Sequence, residues 1–459
     1  MQDYKKQFKD KKITIMGLGL LGRGLGYTKF LAECGADLIV TDLKSKKQLK
    51  TSIMALPRKD LGKIKFVLSG HRLEDFRGRD MIMKAAGVPL DSIYIKEARR
   101  NKISVEMDVS LFAKYAPEVM IIGVTGTRGK SMVIALVYEI LKQNEKFLKR
   151  KIYIGGNVRG VATLPLLKKV KKGDILVCEL DSWQLQGFGD AKMSPHISIF
   201  TSFMPDHMNY YGSTSLTTSK KAMKKYFNDK ANIFRYQKKG DFLIVRPGVK
   251  KLIPKNIKSK LIVVREKTFQ EENRACAIEV AKQFKIPDSK IAQALKNFKG
   301  LEGRLQYIKT VKGVKIYNDN NATTPEATMA GIEALSVSFP EAQLRGNSPK
   351  LGFGERKIVL ICGGADKKLP LDDFVETVNK YCKAVIMVPG TGTEKLINNY
   401  ELQITNKKAK DLNKAVKTAL GKASRGNIIL FSPAFASFGQ FNNEYERGDL
   451  FIKIVKKLK

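Results

Sequence analysis

The sequence predicts an α/β protein of three successive domains, on three observations. Short apolar runs alternate with helix-period stretches along the chain, two of those runs break directly into glycine clusters, and 459 residues are too many for one compact core. The first segment opens with a strand through Ile13–Met16 that ends in Gly17-Leu-Gly19. A helical stretch and a second short strand, Asp37–Asp42, follow in the order of a Rossmann-like half, and βα alternation runs to about Phe112. The second segment begins with the strand Val119–Val124, which runs into Gly126-Thr-Arg-Gly-Lys-Ser131 and a helix over Met132–Gln143. Strands at Asp174–Cys178 and His196–Thr201 follow, then helices over Glu272–Phe284 and up to Phe298. This pattern predicts a central parallel sheet of the P-loop ATPase type. The third segment starts near Gly300 and carries strands at Val314–Tyr317, Lys357–Cys362, Ala384–Val388 and Asn427–Phe431, a further Rossmann-like α/β pattern. Residues Ser336–Glu355 hold Pro, Gly and Ser without periodicity and read as a loop. The expected domains are 1–112, 113–300 and 301–459, with no solenoid repeat.

Composition narrows the function. Hydrophobic residues at 43% and charged residues at 28% exclude disorder, collagen and a disulfide scaffold as descriptions of the whole chain. No apolar run approaches the ~18–20 residues of a membrane span, and the opening Met-Gln-Asp-Tyr-Lys-Lys lacks the apolar core of a secretory signal, so a cytoplasmic protein is expected. Cys34, Cys178, Cys276, Cys362 and Cys382 are dispersed, as in reduced thiols, and His71, His196 and His207 are too few for a His-rich metal site. The net charge of +40 is spread over the whole length. No zinc-finger, helix-turn-helix or stacking-aromatic pattern accompanies it, so no specific nucleic-acid partner is expected. A positive field of this size also draws in small substrates that carry phosphates.

Two glycine clusters carry the chemistry. Gly17-Leu-Gly19-Leu-Leu-Gly22 fits G-x-G-x-x-G after a strand, with Asp42 about 20 residues further on. It suits a dinucleotide, another nucleotide-like ligand, or simply a tight strand–helix turn. Gly126-Thr127-Arg128-Gly129-Lys130-Ser131 sits between a strand and a helix, as a P-loop must, although its spacing departs from the common one. Its amides would form an anion nest, Lys130 would add a charge on the β/γ-phosphates, and Ser131 could ligate Mg²⁺. Glu179, and His207 in Met204-Pro-Asp-His-Met-Asn209, follow the next strands, where groups that bind a hard cation collect.

The order of GVTGTRGKS, GGN (155–157), CELDSWQL (178–185), DHMNYYG (206–212), Gly303-Arg304, YNDNNATTPEAT (317–328) and SPAFASFGQFNNEYERG (432–448) resembles the Mur ligases, and this resemblance covers nearly the whole chain. It implies a UDP-binding first domain, a central ATPase and a C-terminal domain that binds glutamate. The implied activity is an ATP-dependent amide ligation in peptidoglycan synthesis, adding D-glutamate to UDP-N-acetylmuramoyl-L-alanine through an acyl phosphate. A sister ligase that adds L-glutamate to the same acceptor is the alternative.

Carried over by motif, Gly126, Thr127, Gly129, Lys130 and Ser131 would hold ATP phosphates, Asn273 would read adenine, and Arg304 and Asp319 would meet ribose and phosphates. Two Mg²⁺ ions are implied, held by Ser131, Glu179, His207 and a carbamylated lysine. An insertion around Thr214–Ala222 shifts that lysine, and the run Tyr226–Phe234 selects Lys230. Gly19 and Asp42 would bind the UDP part, Asn157 the muramoyl part, and Thr323, Lys367 and Ser437 the incoming glutamate. A monomer is expected. The chain departs from the family at Ala85-Ala86-Gly87, where Ser-Pro-Gly is usual, at Asn321, where lysine is frequent, and at Glu444, where an aromatic is common.

Overall fold

The computed structural model describes residues 3–20, 22–206, 208, 210–212, 220–337, 356–441 and 443–458. Among these residues three sheets form. The first contains β1 (Lys12–Met16), β2 (Asp37–Asp42), β3 (Ile64–Leu68), β4 (Met81–Lys84) and β5 (Ser104–Glu106), all parallel, in the order β3-β2-β1-β4-β5. The second contains β6 (Met120–Thr125), β7 (Ile152–Gly156), β8 (Ile175–Glu179), β9 (Ile197–Phe200), β10 (Phe242–Val245) and β11 (Lys260–Val263). It too is wholly parallel, ordered β11-β10-β9-β6-β8-β7. Its strands are near-continuous apolar runs because helices cover both faces; β8, Ile-Leu-Val-Cys-Glu, is buried at every position.

The third sheet contains β12 (Gln306–Val311), β13 (Val314–Asn318), β14 (Ile358–Cys362), β15 (Cys382–Met387), β16 (Thr405–Lys408) and β17 (Ile428–Phe431), ordered β12-β13-β17-β14-β15-β16. It is mixed: β12 pairs antiparallel with β13 and the remaining pairs are parallel. β12 is not expected from the sequence, because its alternating, half-solvated pattern lacks the apolar run of a buried strand. The helix after β6 spans Lys130–Gln143 and so starts two residues before the expected Met132, which puts Lys130 and Ser131 in its first turn. The expected loop at Ser336–Glu355 is corrected at its start, where Ser336 and Val337 end the helix Pro325–Val337; residues 338–355 lie outside the described residues.

The chain divides into two compact units, Met1–Phe298 and Lys299–Lys459. In the first unit one apolar cluster draws on both sheets, joining Ile15 and Val40 to Phe112, Leu176, Phe200 and Val245. A second cluster, including Val133, Val137, Ile199 and Val280, packs the helices Lys130–Gln143 and Phe269–Gln283 on the central sheet. A reciprocal capping box, Thr268 with Glu271, fixes the start of the latter helix. Asp108, buried at the start of the helix Asp108–Tyr115, accepts the main-chain N–H groups of Thr163 and Leu164 at 2.7 Å each. Burial raises its pKa against the opposing pull of those two bonds. Asp108→Ala leaves both amides unpaired, and a loss of about 2–4 kcal/mol is expected. A urea midpoint equal to that of the unaltered chain would refute this.

Candidate active site

β6 lies between β8 and β9, with the following strands added first on one side and then on the other, so the C-terminal end of β6 is a topological switch point. The chain leaves β6 through Gly126, at φ +147°, where a Cβ would collide with the Thr201 hydroxyl. The Thr127 N–H donates to the Ser202 carbonyl at 2.8 Å, and the Arg128 N–H donates to Ser202 Oγ at 2.8 Å. Thr127 Oγ1 donates to the Met204 carbonyl at 3.1 Å and accepts its N–H at 3.0 Å. Gly129, at φ +90°, precedes the helix that begins with Lys130 and Ser131, whose first-turn amides are free of intrahelical partners.

Two lysines converge on this loop. Lys130 Nζ donates to the carbonyls of Gly126 at 2.9 Å and Thr127 at 3.1 Å. Lys230 Nζ donates to the same Gly126 carbonyl at 2.9 Å and to Thr125 Oγ1 at 3.3 Å, above the Tyr226 ring. Lys230 is 1% exposed, whereas Lys220, Lys221, Lys224 and Lys225 on the same helix, Lys220–Ala231, are exposed. Burial, reinforced by the Lys130 cation, pulls the Lys230 amine down to about 7 against the opposing influence of Asp181, Asp206 and Glu179.

Glu179 closes β8 in register with Val124 of β6 and Gly156 of β7, and is buried. Asn157 donates its N–H to the Glu179 carbonyl at 2.7 Å and its side-chain amide to Glu179 Oε1 at 3.4 Å. His207 lies outside the described residues. Among the described residues no cluster of three or more His, Cys, Asp and Glu is placed to hold a metal. The oxygen donors Ser131 and Glu179 still suit Mg²⁺, which commonly takes one or two carboxylates together with phosphates and water rather than a protein cage. Asn273, buried on the helix Phe269–Gln283, accepts a hydrogen bond from Arg246, which also pairs with Glu272 at 3.4 Å.

At the C-terminal edge of the first sheet, Gly17 (φ +101°) passes so close to β4's exit that a Cβ would lie 2.8 Å from the Ala85 Cβ. Asp42 is buried, and its two oxygens accept the N–H groups of Gly19 and Lys44 at 2.9 Å each. That carboxylate therefore braces the glycine loop from beneath. Lys84, also buried, donates to the carbonyls of Ala85, Ala86 and Val88 at 3.3, 3.2 and 2.7 Å, and burial lowers its pKa to about 8.

In the second unit the ends of β13, β17 and β14 meet. Asp319 accepts Ser432 Oγ–H at 2.8 Å and the Leu305 N–H at 3.1 Å, and burial pushes its pKa up to about 6. Lys367 Nζ donates to Thr323 Oγ1 at 2.9 Å, bringing together two residues taken from distant motifs. A bridge between Ala365 and Ala436 lays the segment with buried Ser437 beside the Lys367 loop. Arg304 is exposed in the turn before β12. Arg447, fully buried, clamps Asn320 (2.8 Å to Oδ1) and the Phe435 carbonyl (3.2 Å).

Residues 124–295 match the Mur ligase middle domain, and residues 303–435 match the Mur ligase, glutamate ligase domain. The chain belongs to the Mur ligase family. This Mur ligase is 34% identical to the UDP-N-acetylmuramoylalanine–D-glutamate ligase of Borreliella afzelii, over 98% of this chain and 99% of the relative. It is 32% identical to the protein of that name from Roseiflexus sp., with the same coverage. Among solved structures, UDP-N-acetylmuramate–alanine ligase from Thermotoga maritima shares the fold, with a TM-score of 0.60 at 16% identity over 97% of this chain and 99% of that one. Escherichia coli FolC, solved with DHPP and ADP, aligns with a TM-score of 0.52 at 15% identity, over 81% and 99%. The chain is thus an ATP-dependent ligase.

Several residues around this Mur ligase's candidate site are not among those expected from the sequence. Thr201 and Ser202 brace the glycine loop after β6, and their signal lies in the sequence: two hydroxyl residues at the end of an apolar strand. Arg246 likewise follows the apolar run of β10. Tyr226 and Arg447 carry no such signal, because their partners are distant in sequence.

Proposed function

We propose that this Mur ligase joins D-glutamate to UDP-N-acetylmuramoyl-L-alanine in peptidoglycan synthesis, forming an acyl phosphate at the expense of ATP. The observation that carries the reading is the meeting of Lys130, Lys230 and the first-turn amides of the helix Lys130–Gln143 at one sheet edge beside Glu179. The choice of acceptor and amino acid rests on relatives of that name that match nearly end to end. Residues 1–112 would hold the UDP part, 113–300 ATP, and 301–459 glutamate.

The chemistry follows from charge. A carboxylate resists attack by an amine, so it first takes the γ-phosphoryl group of ATP, with ADP leaving. The glutamate amine then adds to the acyl carbon, loses a proton, and expels phosphate as the amide forms. Lys130 and the first-turn amides of its helix offset the repulsion between carboxylate and triphosphate. Ser131 and Glu179, with His207, would hold Mg²⁺, which supplies further neutralisation of phosphate charge when bound.

Lys230 would complete the metal-binding set as a carbamate. Its neutral amine attacks the carbon of CO₂, a C=O electron pair moves to oxygen, and the nitrogen releases one proton to solvent. The lowered pKa favours the free amine that this step needs, and burial protects the product. Thr323 and Lys367 would receive glutamate carboxylates, and the exposed Lys367 supplies the charge.

The test is phosphate release by the purified protein with ATP, UDP-N-acetylmuramoyl-L-alanine and either D- or L-glutamate. Turnover with D-glutamate is expected; turnover with L-glutamate alone would reassign the substrate. Because both larger substrates are polyanions and the chain carries +40, kcat/KM for the UDP substrate should fall as salt shortens the Debye length from about 30 Å at 0.01 M to about 8 Å at 0.15 M. A kcat/KM independent of salt would show that steering plays no part in capture.

A further inference from the structure

We propose that Asp229 is a positioning residue for Lys230: its carboxylate locks the helix Lys220–Ala231 at the rotation that brings the amine to the nucleotide loop. The inference rests on the reading of Lys230 as the amine that takes up CO₂.

Asp229 and Lys230 are neighbours on that helix, about 100° apart around its axis, so they address different walls. Lys230 meets Thr125 and Gly126. Asp229 meets two other donors on one oxygen: Gln186 Nε2 at 2.8 Å and the Tyr211 hydroxyl at 3.0 Å. Gln186, itself buried, belongs to the helix Ser182–Asp190, which begins three residues beyond Glu179. Tyr211, also buried, lies in the stretch that follows β9. A single carboxylate oxygen thus ties the lysine helix both to the element behind Glu179 and to the loop after β9.

A second tie to the same helix Ser182–Asp190 follows Lys230 in sequence, just past the end of the lysine helix, where Asn232 Nδ2 donates to the Leu185 carbonyl at 3.0 Å. Two anchors that bracket the lysine fix the rotation of the helix more firmly than either alone. An amine ~8 Å from a helix axis moves by about 3 Å when the helix turns by ~20°, enough to break its hydrogen bond to Gly126. Placement matters because the carbamate of Lys230 is retained only where its oxygens meet their partners.

The experiment uses the full chain with Asp229→Ala, Asp229→Asn and Tyr211→Phe. It follows the ¹³C carbamate resonance after loading with ¹³C-bicarbonate, kcat against bicarbonate concentration, KM for ATP, and the urea midpoint. Asp229→Ala should lower kcat about tenfold or more at ambient bicarbonate, with a matching loss of resonance, a KM for ATP unchanged within about twofold, and partial recovery at raised bicarbonate. Asp229→Asn keeps an oxygen acceptor and should hold both readouts within about twofold. If Asp229→Ala fails to fold, Tyr211→Phe decides, with a smaller loss in the same direction expected. A full resonance and full kcat in the decisive variant, with or without a lowered urea midpoint, would reduce Asp229 to a structural tie and overturn the proposal. Absence of any resonance in the unaltered protein, together with an active Lys230→Ala, would instead overturn the reading of Lys230 itself.

Discussion

Replacing Lys130 with alanine is expected to all but abolish ATP turnover, lowering kcat/KM by ~10²–10³-fold, while the fold stays intact. The lysine sits in the first turn of its helix, only partly buried, and its amine contacts two loop carbonyls rather than the core. Losing those bonds should cost about 1 kcal/mol of stability. If Lys130 holds the transferring phosphoryl group as proposed, its loss removes an interaction that matters most in the transition state, which mutation of comparable donors places at about 10²–10³-fold each. Phosphate release by the variant within a few-fold of the unaltered protein would remove the nucleotide-loop assignment.

The second large effect is expected at Lys230. Lys230→Ala should be inactive, and acetate or formate should restore part of the activity by supplying a carboxylate where the carbamate would stand. Full activity in this variant, or rescue in a Lys221 or Lys225 variant instead, would relocate the modified lysine. The same residue should affect stability in the opposite sense. In CO₂-depleted buffer, where no carbamate forms, burial holds the folded amine at about 7, against 10.5 for an ordinary lysine. Between those values the unfolded chain keeps a proton that the folded chain has shed. Stability therefore rises with pH across that window, and the burial penalty is fully present below about 7. Lys230→Met removes the penalty, so it should be more stable than the unaltered protein at pH 6, with the difference closing towards pH 10. Urea titrations at both pH values measure this, and a difference independent of pH would contradict it.

Where a close approach and a left-handed turn constrain the backbone, the sequence is explicit. Gly126 must pass the Thr201 hydroxyl and Gly129 must turn left-handed before the helix, so glycines mark the loop however the rest of the chain varies. The buried strands β6, β8, β14 and β17 are equally legible, because a sheet covered on both faces needs unbroken apolar runs. β12 was not legible: it is an edge strand with one partner, and its alternation competes with that of any exposed loop. Of the five lysines in the run 220–230, Lys230 is the buried one, through contacts with Thr125 and Gly126, a hundred residues earlier, and such a meeting has no local sign in the sequence. The roles of Gln186 and Tyr211 around Asp229 depend on the same kind of distant meeting, for which one sequence has no local sign.

The apolar cluster shared by the first two sheets constrains how the chain is made. A ribosome releases Ile15, Val40 and Phe112 well before Leu176, Phe200 and Val245, which complete their packing. Until roughly the first half of the protein has emerged, the nascent first sheet carries an unfinished apolar face. That interval is when a chaperone would have most to cover. Lys299–Lys459 closes its own clusters, around Ile361 and around Leu360, on each face of its sheet, and can finish later without the preceding residues. Gene fragments cut between 298 and 299 would each encode a closed core, whereas a cut after 112 would leave two halves of one.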